Sequence, residues 1–308
     1  MKPALVVINP ISGVGRPDAG GAAEVELARA SLRDGGFDAT VVVTKGPGHA
    51  SAATRQACAS GVALVVAWGG DGTMNEVARE LAFGPVPLAL VPAGSGNGLA
   101  RDLGVPRTPA AALAVAHAGR PWRIDAGAVN GALFFNVAGL GLDARIAHAF
   151  AANRGRRGLP RYLQLGAREL LSYRPQSYAI DFDGAGSRAA APALFVAFAN
   201  SRQYGGHGCI APRARLDDGR LELVVVDDLP LWRVLRRLPA FFRGTLAPGD
   251  GLAMHTVARA TVVTPTPWHL HLDGEPSAGE GDLDVTVHRA ALSVVTPLDS
   301  RVPRSVNH

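Results

Sequence analysis

Up to about residue 120 two kinds of hydrophobic pattern alternate along the chain. Short, nearly unbroken apolar runs lie at Ala4 to Ile8, Asp38 to Val43, Val62 to Trp68 and Val86 to Val91. Runs of this length, rich in β-branched residues and bounded by glycine, predict buried strands. Between them Ala22 to Arg33, His49 to about Ser60, Thr73 to Phe83 and the alanine-rich Pro109 to Gly119 read as helices. Strand, glycine-bearing loop and helix recur four times, which predicts an α/β fold with a parallel, doubly wound sheet. In such a sheet the loops gather at the carboxyl ends of the strands, where ligands bind.

The pattern changes at Arg123-Ile124-Asp125-Ala126-Gly127. Short strands with turn signals follow: an Asn130-Gly131 hairpin between Ala128 and Phe135, then Tyr178 to Phe182, Leu194 to Ala199, Leu221 to Val226 and Trp268 to Leu272. Asn-Gly between apolar runs is a hairpin signal, and the whole reads as an antiparallel β-sandwich domain. The expected organisation is residues 1–127 as a nucleotide-binding domain, residues 128–290 as a β-rich substrate domain, and residues 291–308, with a last strand at Ala291 to Thr296, completing the first. Arg154, Arg156, Arg157 and Arg161 read as a solvated face or a basic rim. Leu231 to Arg243, LWRVLRRLPAFFR, reads as an interfacial or an ordinary packed helix broken at Pro239.

Composition narrows the setting. With 308 residues, 47% hydrophobic and 19% charged, the chain supports two globular domains. Its net charge of +5 suits anionic nucleotides or an anionic membrane surface. No Lys/Arg tract interleaved with aromatics appears, so nucleic acid is not an expected partner. Cys58 and Cys209, far apart, form neither a disulfide framework nor a zinc pattern. The apolar start, Met1 to Ile8, is too short for a signal-peptide core. No run is long enough to span a bilayer. The expectation is a cytoplasmic protein, peripheral to a membrane if it touches one.

The chemistry centres on Gly69-Gly70-Asp71-Gly72-Thr73. Three glycines in four positions bring backbone amides close to a ligand, at a helix start where phosphate is favoured. Thr73 with Glu76 has the spacing of a capping box. Asp71 is the odd member: a carboxylate beside phosphates repels them unless a metal lies between, which points to magnesium. Alone, the segment is equally a tight turn with an Asp bonded to its own backbone. Asn9-Pro10-Ile11-Ser12-Gly13 after the first strand is neither GxGxxG nor a Walker loop. His269 and His271 raise zinc, but no further ligand spacing supports it.

GGDGT followed by Asn75-Glu76 resembles the diacylglycerol and sphingosine kinase family of lipid kinases and, more distantly, NAD kinases and phosphofructokinases. NPxSG at Asn9 to Gly13, PAGSGN at Pro92 to Asn97, AP-x-A…DDG from Ala211 to Gly219 and LDGE at Leu272 to Glu275 resemble the other motifs of the lipid kinases, in family order. The resemblance implies an ATP-dependent lipid kinase with ATP and Mg2+. Its nucleotide contacts fall on Asn9, Pro10, Ser12, Gly13, Thr44, Gly69, Gly70, Asp71, Gly72, Thr73, Glu76, Gly94, Ser95, Gly96 and Asn97. Metal ligation falls on Asp71 and Asp125, and a structural magnesium on Asp218 with the backbones of Arg215 and Arg220. Bacterial diacylglycerol-type members usually carry Asp after the Asn of the third motif; Gly98 stands here, as a small residue does in the sphingosine-kinase variant. Asp273 or Glu275 is the candidate base for the lipid hydroxyl, with Asp71 the third catalytic candidate. The acceptor is a diacylglycerol-, sphingoid- or phosphatidylglycerol-like lipid. A NAD-kinase-like activity on a soluble substrate and a non-catalytic binding module are the alternatives, and a homodimer is left open.

Overall fold

The computed structural model of the chain describes residues 1–12, 21–152, 169, 172–183, 186–204 and 208–299. They form two compact units, Met1–Ile124 with residues 290–299, and Asp125–Arg289.

The first unit is built from β1 (Lys2–Ile8), α1 (Ala22–Asp34), β2 (Phe37–Val43), α2 (His49–Ala59), β3 (Leu64–Gly69), α3 (Asp71–Leu81), β4 (Leu88–Pro92), α4 (Gly98–Asp102), α5 (Pro109–Ala118) and the start of β5 (Arg120–Val129). The strands pair in parallel in the order β2-β1-β3-β4. Apolar residues on both faces explain the parallel arrangement: Leu5, Val6, Val7, Val65 and Val66 are all buried. Helices cover them with Leu32 of α1, Val77 and Leu81 of α3 and Leu113 of α5. Each such side chain is stabilised by about 1.5–3 kcal/mol relative to exposure. The chain leaves β1 toward β2 on one side and returns to β3 on the other. Crossover direction therefore reverses between β1 and β3, where the carboxyl ends of the strands open a crevice.

The second unit takes up β5 and continues with β6 (Ala132–Phe134), β7 (Val137–Gly141), α6 (Leu142–Ala152), β8 (Gln176–Phe182), β9 (Gly186–Ala199), β10 (Gln203–Tyr204), β11 (Gly208–Cys209), β12 (Leu221–Asp227), α7 (Leu231–Arg243), β13 (Leu252–Val257), β14 (Arg259–Val263), β15 (Trp268–Leu272), β16 (Glu275–Gly279) and β17 (Leu283–Thr296). Its strands pair antiparallel, β16-β15-β7-β9-β8-β14-β17, with β12 joining β9 to β13. Alternate residues of these strands close a core that includes Phe134, Tyr178, Phe198, Leu223 and Val285. The last residues of β17 return to the first unit and run parallel to β4. Asn130 and Gly131 both have positive φ, as a two-residue hairpin of this hand requires.

Four local expectations differ from the structure. Helix α3 begins at Asp71, two residues before Thr73, and no capping box forms; the side chains of Thr73 and Glu76 are engaged elsewhere. β9 runs for 14 residues rather than six, because its first half is exposed and rich in alanine and so lacks an apolar signature. β7 is a strand where none was expected, because two of its five residues are glycine. Helix α7 continues through Pro239 to Arg243. Both cysteines are free thiols. The arginines at 154, 156, 157 and 161, and Gly13 of the first loop, lie outside the described residues.

Candidate active site

The loops after β1, β3 and β4 are joined by specific bonds within the first unit. Asn9 leaves β1 with its N–H on the Trp68 carbonyl. Its side-chain amide donates to the Thr73 hydroxyl at 3.0 Å, and its own carbonyl accepts the Ser12 hydroxyl at 2.7 Å. The first motif is thus fastened to the first turn of α3. The third motif is fastened to Asp71: Oδ2 accepts the Asn97 N–H and Oδ1 the Gly98 N–H, both at 2.8 Å. Asn97 folds back on Gly94, accepting its N–H at 2.9 Å and donating to its carbonyl at 2.6 Å.

The glycines here serve the approach of one loop to the other. A Cβ on Gly94 would stand 2.6 Å from the Cα of Gly70, and one on Gly96 would strike the Asp71 carboxylate. No real side chain tolerates the first contact, so any substitution at Gly94 must push the two loops apart. Gly69, Gly70, Asp71, Met74 and Asn97 line a small depression between them. Ser95 is exposed at the tip of its loop and Gly72 at the start of α3. Pro10 is exposed, and Thr44 is half-buried at the end of β2, its N–H on the Ile8 carbonyl.

Asp71 has a cationic side chain nearby. Arg101 interacts with it electrostatically and donates to the Gly96 carbonyl at 2.6 Å. Burial pulls the Arg101 guanidinium below the usual arginine range, the Asp71 charge opposes that, and Arg107 adds to it. Behind the turn, Asn75 is fully buried and its side-chain amide finds no hydrogen-bond partner among the described residues. Glu76 turns away from the loops: its carboxylate accepts the N–H of Ala50 at 3.1 Å and of Ser51 at 3.3 Å, capping α2.

In the second unit the Leu272-Asp273-Gly274-Glu275 turn joins β15 to β16. Asp273 has φ 53° and Gly274 φ 84°, again a two-residue hairpin turn. A left-handed aspartate needs compensation, and Asp273 has it. Its Oδ2 accepts the Phe135 N–H at 2.7 Å, and its Oδ1 accepts those of Asn136 at 2.7 Å and Val137 at 2.9 Å. Its own N–H donates to the Val137 carbonyl. Glu275 is half-buried two residues later.

A buried carboxylate–imidazole pair backs this turn. His271 Nε2 lies 2.5 Å from Asp143 Oδ2 at the start of α6, with both side chains almost wholly buried. The other ring nitrogen, Nδ1, accepts the Gly274 N–H at 3.1 Å, so Nε2 is the nitrogen that donates to Asp143. Burial opposes the charged imidazolium. The Asp143 charge, the bond to it and the Asp273 charge outweigh burial and raise the pKa. Gly139 makes room, since a Cβ there would strike both partners. The two residues stand 128 positions apart, and nothing local in the sequence announces them. His269, the other histidine of β15, is exposed. No group of three or more His, Cys, Asp or Glu able to hold a metal occurs among the described residues.

The third acidic feature surrounds Gly219. Asp125 is buried and its Oδ2 accepts the Gly219 N–H at 2.6 Å; Asp218 Oδ1 accepts the Arg220 N–H at 2.9 Å. Burial raises the Asp218 pKa, the Arg220 N–H opposes this, and the Asp125 charge adds to the rise. Two carboxylates beside one turn suit a divalent cation only if carbonyls and water complete its shell.

Comparison with known proteins agrees with both units. Residues 3–129 match the model of the diacylglycerol kinase catalytic domain, and residues 136–296 that of the YegS C-terminal NAD kinase beta sandwich-like domain. The chain is 36% identical over 300 residues to a probable lipid kinase YegS-like of Pseudomonas aeruginosa strain UCBPP-PA14, covering 91% of this chain and 92% of that one. It is 30% identical over 301 residues to a diacylglycerol kinase of Mycobacterium tuberculosis, covering 94% and 93%. A solved structure of a putative diacylglycerol kinase from Bacillus anthracis str. Sterne shares the fold at TM-score 0.77 and 22% identity, over 97% of this chain and 98% of that one. The chain belongs to the lipid kinase family that joins a diacylglycerol kinase catalytic domain to a YegS-type C-terminal domain.

Proposed function

We propose that this chain transfers the terminal phosphoryl group of ATP to the hydroxyl of a diacylglycerol-, sphingoid- or phosphatidylglycerol-like lipid, as a cytoplasmic enzyme working at a membrane surface. The observation that carries the reading is the lattice of bonds from Asn9 to Thr73 and from Asp71 to Asn97 and Gly98, at the topological switch point of a parallel sheet. It concentrates amides and small residues where phosphates bind in such sheets. The unmet amide of Asn75 behind the same turn supports a polar ligand there.

Phosphoryl transfer calls for positioning and for charge neutralisation more than covalent chemistry. The bond between the terminal phosphorus of ATP and its bridging oxygen breaks, and a bond to the lipid oxygen forms. The hydroxyl proton passes to a carboxylate of the turn after β15, and ADP leaves. Glycine amides of the loops after β3 and β4, with Ser95, Asn9 and Ser12, orient the phosphates; Thr44 and Thr73 border them. A divalent ion, which the family's chemistry implies, would supply charge neutralisation at Asp71 when bound. A second would tie Asp218, with the Arg215 and Arg220 carbonyls and Asp125 alongside, as a structural ion. Asp273 serves as the anchor of its turn and Glu275 as the group able to meet a hydroxyl, so we assign the proton to Glu275.

The test is incubation of the purified chain with radiolabelled ATP, a divalent cation and a panel of diacylglycerol, sphingosine, ceramide and phosphatidylglycerol, with NAD in a parallel reaction. The expected result is a labelled lipid phosphate and unlabelled NAD. Labelled NAD with no labelled lipid overturns the reading.

A further inference from the structure

Helix α7 is attached to its unit along one side only. Val234 and Phe241 pack against the apolar cluster that contains Ala197, Ile210 and Val224, and the Phe241 ring meets Tyr204 edge-on at 5.9 Å. No residue of the helix is buried. Leu231, Leu235, Leu238 and Phe242 follow the spacing i, i+4, i+7, i+11, which stacks them on one stripe. They are 41%, 50%, 38% and 45% exposed, and Trp232 beside them is 53% exposed. A single exposed leucine is ordinary, whereas four large apolar side chains in one stripe with a tryptophan beside it mark a surface meant to be covered.

The polar margin of the helix is uniformly basic. Arg233, Arg236, Arg237 and Arg243 lie in these thirteen residues, and no acidic residue does. Arg237 is committed to the carbonyls of Gly249 and Asp250. Arg233 and Arg236 stand over the Trp232 ring, at 5.2 and 5.7 Å from its centre. Of the acids just before the helix, Asp227 is paired with Arg188 at 2.9 Å.

We propose that α7 is the element by which this protein lies on an anionic phospholipid surface. Leu231, Leu235, Leu238 and Phe242 enter the acyl boundary, Trp232 sits at headgroup level, and Arg233, Arg236 and Arg243 meet lipid phosphates. The argument is charge complementarity joined to shape. A two-fold contact with a second copy would set this arginine margin against itself, because such an interface repeats one patch on both sides. A bilayer with anionic headgroups offers apolar depth and negative charge together, which is what an interfacial helix of this composition selects. The proposal deepens the lipid-kinase reading, on which its purpose rests, but binding is measured without reference to turnover.

The test uses the full chain and flotation with vesicles of phosphatidylcholine alone or mixed with about one third phosphatidylglycerol. The wild type is expected to bind the anionic vesicles roughly tenfold or more tightly than the neutral ones, and less at high salt. Leu235→Glu with Phe242→Glu is expected to remove most of this binding, and Arg233→Glu with Arg236→Glu to remove the anionic preference. All four positions are exposed, so far-UV circular dichroism and Tm should match the wild type, and turnover of a dispersed short-chain diacylglycerol should be unchanged. Unaltered vesicle binding by the Leu235/Phe242 variant overturns the proposal. So does a wild type that ignores vesicles but forms a dimer that this variant dissociates, since the stripe then belongs to a second copy. Vesicle binding through α7 with no lipid phosphorylated upholds the docking surface while refuting the kinase reading.

Discussion

The turns carrying Asp71 and Asp273 invite comparison because each is an acid in a glycine turn at the end of a strand. Each carboxylate first serves as a tie to a second loop. Asp71 gives one oxygen to each of two successive amides, Asn97 and Gly98. Asp273 gives its two oxygens to three successive amides, Phe135 to Val137. The scaffolds behind them differ more. α3, which carries Asp71, is tied to α2 by partly exposed carboxylates: Glu76 on backbone amides, and Glu80 on Arg55 and Ser51. The Asp273 turn rests on the buried Asp143–His271 pair. An acid in a glycine turn is therefore an architectural bond before it is a catalytic group. What distinguishes the two turns is how their surroundings hold them.

The largest effect is expected at Asp71. Asp71→Asn keeps one oxygen but places an N–H2 group against an N–H donor of the neighbouring loop. Steady-state lipid phosphorylation should fall beyond detection, roughly 1,000-fold or more, the upper scale for losing a preorganised electrostatic contact. Tm should report a loss of about 1 kcal/mol, the low end of the cost of an unmet donor, since these bonds are only part-buried. An Asn variant with wild-type turnover and unchanged metal dependence would reduce Asp71 to a loop tie.

The second turn is expected to break through its backing. His271→Asn leaves Asp143 buried without its partner, and the loss of one member of such a pair costs about 3–5 kcal/mol. Urea unfolding should report that loss, and the Gly274 amide should exchange faster because its acceptor is gone. Unfolding midpoints equal to the wild type would mean that the turn holds itself.

The two turns differ in how much of them is legible in the sequence. The loops of the first unit were legible because each glycine run follows its own strand directly, and the strand order then brings Asn9, Asp71 and Asn97 to one edge. The roles inside the lattice were not. A capping box at Thr73 and Glu76 fits local spacing, yet Thr73 is taken by Asn9, 64 residues earlier, and Glu76 by α2. The electrostatic neighbour of Asp71, Arg101, comes from α4, 30 residues further on. His271 was visible as half of a zinc-like pair, while its partner Asp143 comes from a distant helix start. β9 was half-legible, since only its Leu194 to Ala199 end is apolar. Long-range partners of polar groups leave no periodic trace in a sequence.

A pair of variants separates anchor from base within the second turn. Glu275→Gln should cut turnover by roughly 100-fold, the usual scale for losing a general base, with little change in stability. Asp273→Asn should lower turnover comparably, with a stability loss of about 1–3 kcal/mol, because one of three amides loses its acceptor. Turnover and thermal unfolding of both proteins decide the assignment. Near-normal activity of Glu275→Gln beside an inactive, fully stable Asp273→Asn would move the base to Asp273.

The smallest effect is in pH, and its sign differs between the two scaffolds. The bond to Arg55, then the Ser51 hydroxyl, hold the Glu80 pKa below the usual glutamate range against partial burial. A depressed acid contributes stability above its unfolded pKa, about 4.3, and loses it as pH falls through the folded value. The Tm gap between wild type and Glu80→Gln should therefore be open at pH 7 and close on acidification. His271 is the opposite case: with burial outweighed by Asp143 and Asp273, its pKa is raised. Its ionisation contributes fully below the unfolded value of about 6.5 and is lost as pH rises through the folded one. The Gly274 N–H on Nδ1 works against the second proton and limits that rise. The gap between wild type and His271→Asn should thus narrow as pH rises, while the Glu80 gap widens. Two gaps moving in the same direction with pH would show that the scaffolds do not differ in the way their ion pairs imply.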